Sequence, residues 1–135
     1  MHEVTILRAL QGGVIEAVAA STKPALPVAY VDVKFTKPND GKWLEIVHIP
    51  NNRVGDFWGQ EKNYRGLLRL VLHWPNTGDG PYTPLNLLQS IGSYFATGKM
   101  LGKVQITEQS DYVGAVREGD EVMYPVSVRY CAYFG

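Results

Sequence analysis

Apolar positions along this chain follow two spacings. From His2 to Ser21, Leu7, Leu10, Val14, Ala17 and Val18 recur at three- and four-residue steps, which predicts a helix with one apolar stripe. Gly12 and Gly13 lie inside it. Two glycines cost about 2 kcal/mol relative to alanines in a helix interior, so a kink or a close approach of another backbone is expected there. Pro24 and Pro27 then end the helix, because proline cannot continue it.

The spacing next changes to two. Over 28–35, Ala29, Val31, Val33 and Phe35 alternate with Asp32 and Lys34, which predicts a strand. A second strand is predicted over 42–49, with a turn at Pro38-Asn39-Asp40-Gly41 between them. The two runs are expected to pair as an antiparallel hairpin. Arg65 to Trp74 reads as a strong strand, with Leu68, Leu70, Leu72 and Trp74 on one face and Leu67, Arg69, Val71 and His73 on the other. A second helix is expected to start with Thr83 as N-cap and Pro84 at its first position. Leu85, Leu88, Ile91, Gly92 and Phe95 form its stripe, and Gly98 its stop. Val104 to Thr107 predicts a short strand and 111–120 a turn or bulged hairpin.

Glu121 to Tyr133 is the longest alternating run. Val122, Tyr124, Val126, Val128, Tyr130 and Ala132 face one way; Met123, Ser127, Arg129, Cys131 and Tyr133 face the other. Pro125 suggests an edge position or a bulge there. Helices and strands in this order predict an α+β fold over residues 1–135 as a single domain, with a mixed, largely antiparallel sheet and two main helices on one face.

Residues 51–64 break the pattern. The stretch is polar and contains Gly55 and Gly59, yet it carries Phe57 and Trp58 among Arg53, Asp56, Glu61 and Lys62. A loop this long in a small domain is usually functional or disordered. Tryptophan, tyrosine and arginine are the usual anchors of protein interfaces, which makes Arg53, Phe57, Trp58, Lys62 and Tyr64 the candidate binding residues. The competing reading is a loop that folds back to cover the sheet.

Composition narrows the function classes. Charged residues are 19%, with 13 basic against 13 acidic, while aromatics include 8 Tyr, 4 Phe and 3 Trp. Charge balance argues against a dedicated nucleic-acid binder, whose affinity would rest on phosphate neutralisation. Few charges and many tyrosines suit either extensive protein–protein contact or a large core. Cys131 is the only cysteine, so an intrachain disulfide is excluded and a reducing compartment fits. The start lacks a signal-peptide pattern, and no apolar stretch is expected to cross a bilayer. A soluble protein, intracellular or part of a particle assembled in a cell, is expected.

Catalytic chemistry finds little support. His2, His48 and His73 lack ligand spacing, although the latter two could meet across paired strands as a metal pair. Cys131 lies within a regular strand, not on an exposed loop or at a helix N-terminus where thiols are activated, and the serines lack a nucleophile-elbow context. Asp111, Glu118, Asp120 and Glu121 cluster near a turn, where they could hold a cation or serve a hydrolase, but a solvated turn explains them as well. Residues 77–81 (TGDGP) lack the spacing and lysine of a phosphate-binding loop. No catalytic residue, metal or cofactor is expected.

Several segments together resemble the phage tail terminator family. They are the N-terminal helix with Arg8 and Leu10, the block PVAYVDVKFTKPNDGKWLEIVHIPN at 27–51, the long loop, and RGLLRLVLHWPNTGDG at 65–80. The helix PLNLLQSIGSYFATGKML at 84–101, with Phe95 and Gly98, and a final β hairpin complete the pattern. The resemblance implies a virion structural protein rather than an enzyme. It would be a homo-oligomer, a hexameric ring capping the head-proximal end of a tail tube, assembled in the host cytoplasm. The ring would stop tube polymerisation and offer the head-joining surface. Tail tube protein and a connector or neck protein would be its partners, DNA would only pass through the lumen, and no membrane would be involved. A different neck or tail-completion subunit, a small hydrolase and a monomeric binding module using the 53–64 loop are the alternatives.

Overall fold

The computed structural model describes residues 2–22, 25–51 and 62–134. Their order is α1 (His2–Ser21), β1 (Val28–Ala29), β2 (Trp43–Pro50), β3 (Lys62–Pro75), α2 (Tyr82–Ser93), β4 (Met100–Leu101), β5 (Val104–Ile106), β6 (Asp111–Tyr112), β7 (Val116–Glu118) and β8 (Glu121–Phe134). The fold is α+β, as the residue pattern predicts.

One sheet organises the molecule, in the order β1-β2-β3-β8-β5-β4, with β6 and β7 also on β8. β8 is its spine. One edge of β8 pairs with β3 along its whole length, from Glu121 opposite Pro75 to Phe134 opposite Lys62. The other edge pairs in turn with β7, β6 and β5. Pro125 therefore lies in a central strand, not at an edge. It falls between the β7 pairing, which ends at Met123, and the β6 pairing, which starts at Val126, where the second ladder is already interrupted.

The alternation predicted for β8 holds along its length. Val122, Tyr124, Val126, Val128, Tyr130 and Ala132 are all buried, beside Leu68, Leu70 and Leu72 of β3 and Leu44 and Ile46 of β2. Both helices complete this core. α1 contributes Ile6, Leu10, Val14, Ala17 and Val18, and α2 contributes Leu88 and Ile91, with Phe95 just beyond it. By length and composition α1 is long and apolar enough to cross a membrane, contrary to expectation, but its apolar stripe is spent in this core. Gly13 sits under the side chains of Leu101 and Phe95, and Gly12 faces open space. The close approach at these glycines is thus to side chains, and the helix runs unbroken through both.

Two local expectations fail at the N-terminal half of the sheet. The strand predicted over 28–35 stops after Ala29, and it pairs parallel to β2, with Val28 opposite Leu44. A parallel neighbour cannot be reached by a tight turn and needs a crossover. Residues 30–42 supply that crossover: Asp32 adopts φ 56, and Val33 N–H turns back to Tyr30 O at 3.2 Å. The Pro38–Gly41 turn forms, with Gly41 at φ 71 donating to Pro38 O, but it feeds β2 rather than closing a hairpin. The apolar residues of this segment divide: Val31 packs against the core, while the Phe35 ring lies 5.0 Å from that of Trp43 on the open face of the sheet.

The ends of α2 also differ. Pro81, not Thr83, is its N-cap, and no side chain caps it. Pro84 is tolerated in the first turn because first-turn N–H groups need no intrahelical partner. The helix ends at Ser93, and Gly98 takes φ 88 in the following link, donating to Ile106 O at 2.7 Å.

Candidate assembly surfaces

Three features of the sheet could engage a partner: its helix-free face, its rim at the N-terminus of α1, and its open edges. Odd-numbered residues of β2, β3 and β8 form the helix-free face. At one end of that face His73, only 5% exposed, lies flat on Trp43 with ring centroids 3.7 Å apart. Its Nε2 is 2.9 Å from Glu45 Oε1, and its Nδ1 hydrogen-bonds Glu121. The ring therefore bridges the two carboxylates, one at each nitrogen. Lys37, from the crossover, reaches the other Glu121 oxygen at 3.2 Å. The crossover and three strands are thereby clamped together.

Burial acts to raise the Glu121 carboxyl, but the hydrogen bonds and charges of His73 and Lys37 outweigh it and hold the group below the ordinary carboxylate value. A folded-state value below the unfolded one means ionised Glu121 favours the fold. Its contribution is complete above the ordinary carboxylate range and disappears as pH falls through the folded value. At the rim, burial lowers His48, against a smaller raising effect of Glu3. That penalises the fold once pH drops below the ordinary histidine value. Thermal stability should therefore fall on acidification in two stages, and Glu121→Gln should flatten the lower one. A pH series of melting curves for both proteins checks this; parallel curves would refute it.

The rest of the helix-free face is basic. Arg65 and Arg69 of β3 flank Leu67, whose cross-strand neighbour is Arg129. Arg129 forms an exposed pair with Glu108 at 3.7 Å, and the Nε of Arg69 is buried without a hydrogen-bond partner among the described residues. Cys131 lies on this face as a half-buried free thiol.

At the rim, Tyr130 Oη is 2.5 Å from His48 Nε2. Burial, with a smaller contribution from Glu3, pushes the Tyr130 phenol up to about 12. Gly66 is opposite Tyr130, and a Cβ there would stand 2.6 Å from that hydroxyl and 2.8 Å from Ile49 O. The glycine leaves the room that the Tyr130–His48 contact occupies.

Of the candidate binding residues, Arg53, Phe57 and Trp58 lie outside the described residues. Lys62 and Tyr64, expected in the loop, belong to β3. Tyr64 is half-buried and meets Phe134 edge-on at 5.6 Å, with His2 beside both rings. It is a rim aromatic packed against the core.

His48 and His73 are not a metal pair. They lie on opposite faces of the sheet, and among the described residues no group of three or more His, Cys, Asp or Glu could hold a metal. The acidic cluster also separates. Asp111 pairs with Ser127 while Glu118 pairs with Glu121, about 20 Å apart along β8. Thr77 Oγ1 donates to Asp79 at 2.7 Å, so the 77–81 turn satisfies itself. The His73 cluster and Gly66 were not evident from local pattern. Only the β2–β3–β8 register brings Glu45, His73 and Glu121 to one end of one face.

Among the described residues, parts of the sheet edges are open. β1 covers only Leu44 and Glu45 of the longer β2, and the outer sides of β6 and β7 have no strand partner among the described residues. Large apolar side chains are exposed near both edges: Val33 (60%) and Ile49 near β2, and Tyr112, Val113 (70%) and Val116 near β6 and β7.

A family model described as phage tail terminator protein matches residues 5–130. A solved structure at 23% identity shares the fold, with a TM-score of 0.71 over 90% of this chain and 95% of that one. A search of curated proteins finds no match.

Proposed function

Since this chain belongs to the phage tail terminator family, a family of structural proteins, and has a structural role in completing the phage tail, we propose that it forms the ring ending the tail tube. The ring is a homohexamer at the head-proximal end of the virion tail. It blocks further addition of tail tube protein and presents the surface to which the connector or neck protein joins. DNA passes through its lumen, and assembly takes place in the host cytoplasm. The observation that carries this reading is the family match across residues 5–130. The open sheet edges suit it, since a ring built from one kind of subunit needs two different, complementary faces on each copy.

The 53–64 segment, with Arg53, Phe57 and Trp58 leading into Lys62 and Tyr64, is the contact to the tail tube or the neighbouring subunit. Adding the protein to polymerising tail tube protein should shorten the tubes, and tubes of unchanged length would count against termination. Trp58→Ala should weaken that effect at least tenfold while shifting the melting temperature by under about 2 °C, as for a side chain that docks outward. A large drop in melting temperature would instead make Trp58 a core cover.

A further inference from the structure

Beyond Ala29, the outer edge of β2 forms a lane that no described strand occupies. Leu44 N–H points outward to Pro27 O at 3.0 Å, so the alternation of a strand turns the backbone groups of Ile46 and His48 the same way. β1 runs in this lane only as far as Ala29, opposite Glu45. There the chain turns away through Asp32. Among the described residues no strand pairs with the outer edge of β2 past that point, and His48 is left with an outward N–H and C=O. Pro50, the next outward position, has no N–H and closes the lane. The abandoned space is a groove of about 470 Å³ between 29–35 and β2, with Val31, Val33, Phe35, Ile46 and Val47 among its lining residues.

We infer that this lane receives the β6–β7 segment, Tyr112 to Arg117, of a second copy, which joins neighbouring sheets head to tail. The inference rests on the ring reading and names its interface. Three observations select the occupant. The segment lies across β8 from the lane, so donor and acceptor are different parts of one chain and the contact propagates from copy to copy. It is short and its outer edge is open, matching a lane with few free backbone groups. Its Val113 and Val116, 70% and 51% exposed, suit an apolar groove. Charge agrees as well: exposed Asp32 beside the groove and exposed Arg117 on the segment both lack an ion-pair partner within 4.0 Å among the described residues, and each would supply the other's. Strand addition of this kind gains main-chain hydrogen bonds from the edge and specificity from alternate side chains.

Two single-cysteine variants in a Cys131→Ser background test it, Val33→Cys and Val113→Cys. Under mild oxidation the mixture should give disulfide dimers of one with the other, at least tenfold above either variant alone. Asp32→Arg and Arg117→Asp should each weaken association at least tenfold, and the two together should restore it. Rings seen by negative-stain imaging without the mixed dimer, or with dimers of one variant alone, would overturn this interface and leave the ring standing. An absence of rings from the unsubstituted protein at any concentration, with or without tail tubes, would overturn both.

Discussion

Gly66→Ala should destabilise the fold by about 3 kcal/mol, the upper part of the range for overpacking a filled interior. The added Cβ meets two groups, and neither can retreat freely. Tyr130 Oη at 2.6 Å belongs to a ring that is 2% exposed, and Ile49 O at 2.8 Å is backbone of the paired strand. Relieving both contacts means spreading β2 from β3 or moving Tyr130 off His48. For a domain of this size the loss corresponds to a melting temperature lower by about 10 °C. Tyr130→Phe alone should cost about 1 kcal/mol, the usual worth of one hydrogen bond. Combined with Gly66→Ala it should cost less than the sum, because one of the two clashes is gone while Ile49 O remains. Additive losses would show that the hydroxyl is not what Gly66 accommodates.

Phe95→Ala should cost still more, about 3–5 kcal/mol, the range for emptying a buried phenylalanine site. Phe95 is fully buried just past α2, and its ring lies 3.2 Å from the position a Cβ on Gly13 of α1 would take. It also helps line an open groove of about 580 Å³ beside Gly92, Ser110 and Tyr112. Removing the ring takes away packing between α1 and the end of α2, while Leu101 of β4 still rests on Gly13. Denaturant unfolding checks the magnitude. A cost below about 1 kcal/mol would mean that the groove collapses onto the space, and that Phe95 is not the joint between the two helices.

These two sites show what could be read in advance and what could not. Phe95 was legible because helical spacing places it in register with Leu88 and Ile91. The faces of β8 were legible for the same reason: alternation is a local property that burial enforces along a strand. Gly66 was not, since its neighbours Tyr130 and Ile49 are distant in sequence or on another strand. The parallel pairing of β1 was hidden because 28–35 carries strand-like residues throughout. Local propensity cannot report the left-handed Asp32 that turns the chain out of the sheet. The clamp of Lys37, Glu45, His73 and Glu121 was hidden too, as its members come from four segments. Asp111 and Glu121 are near each other in sequence, but the register sets Asp111 opposite Ser127, far along β8 from Glu121. Tyr64 reads as loop from sequence because β3 begins at Lys62, ahead of its apolar run.

What links these observations to function is the contrast between the two sides of the architecture. The helix-covered face is filled and spends α1, α2 and the longest strands on one core. The sheet edges and the helix-free face keep exposed valines, an outer edge of β2 with no described strand beyond Glu45, and a row of arginines, the kind of surface a subunit reserves for its neighbours.

We propose, above all, that this chain closes into a ring at the end of a tail tube. Light scattering after size exclusion, combined with negative-stain images of the protein mixed with tail tubes, tests it most directly. Closed rings with six times the mass of one chain, seated at one end of each tube, are expected. A protein that stays monomeric at every concentration and leaves tube ends bare would contradict it.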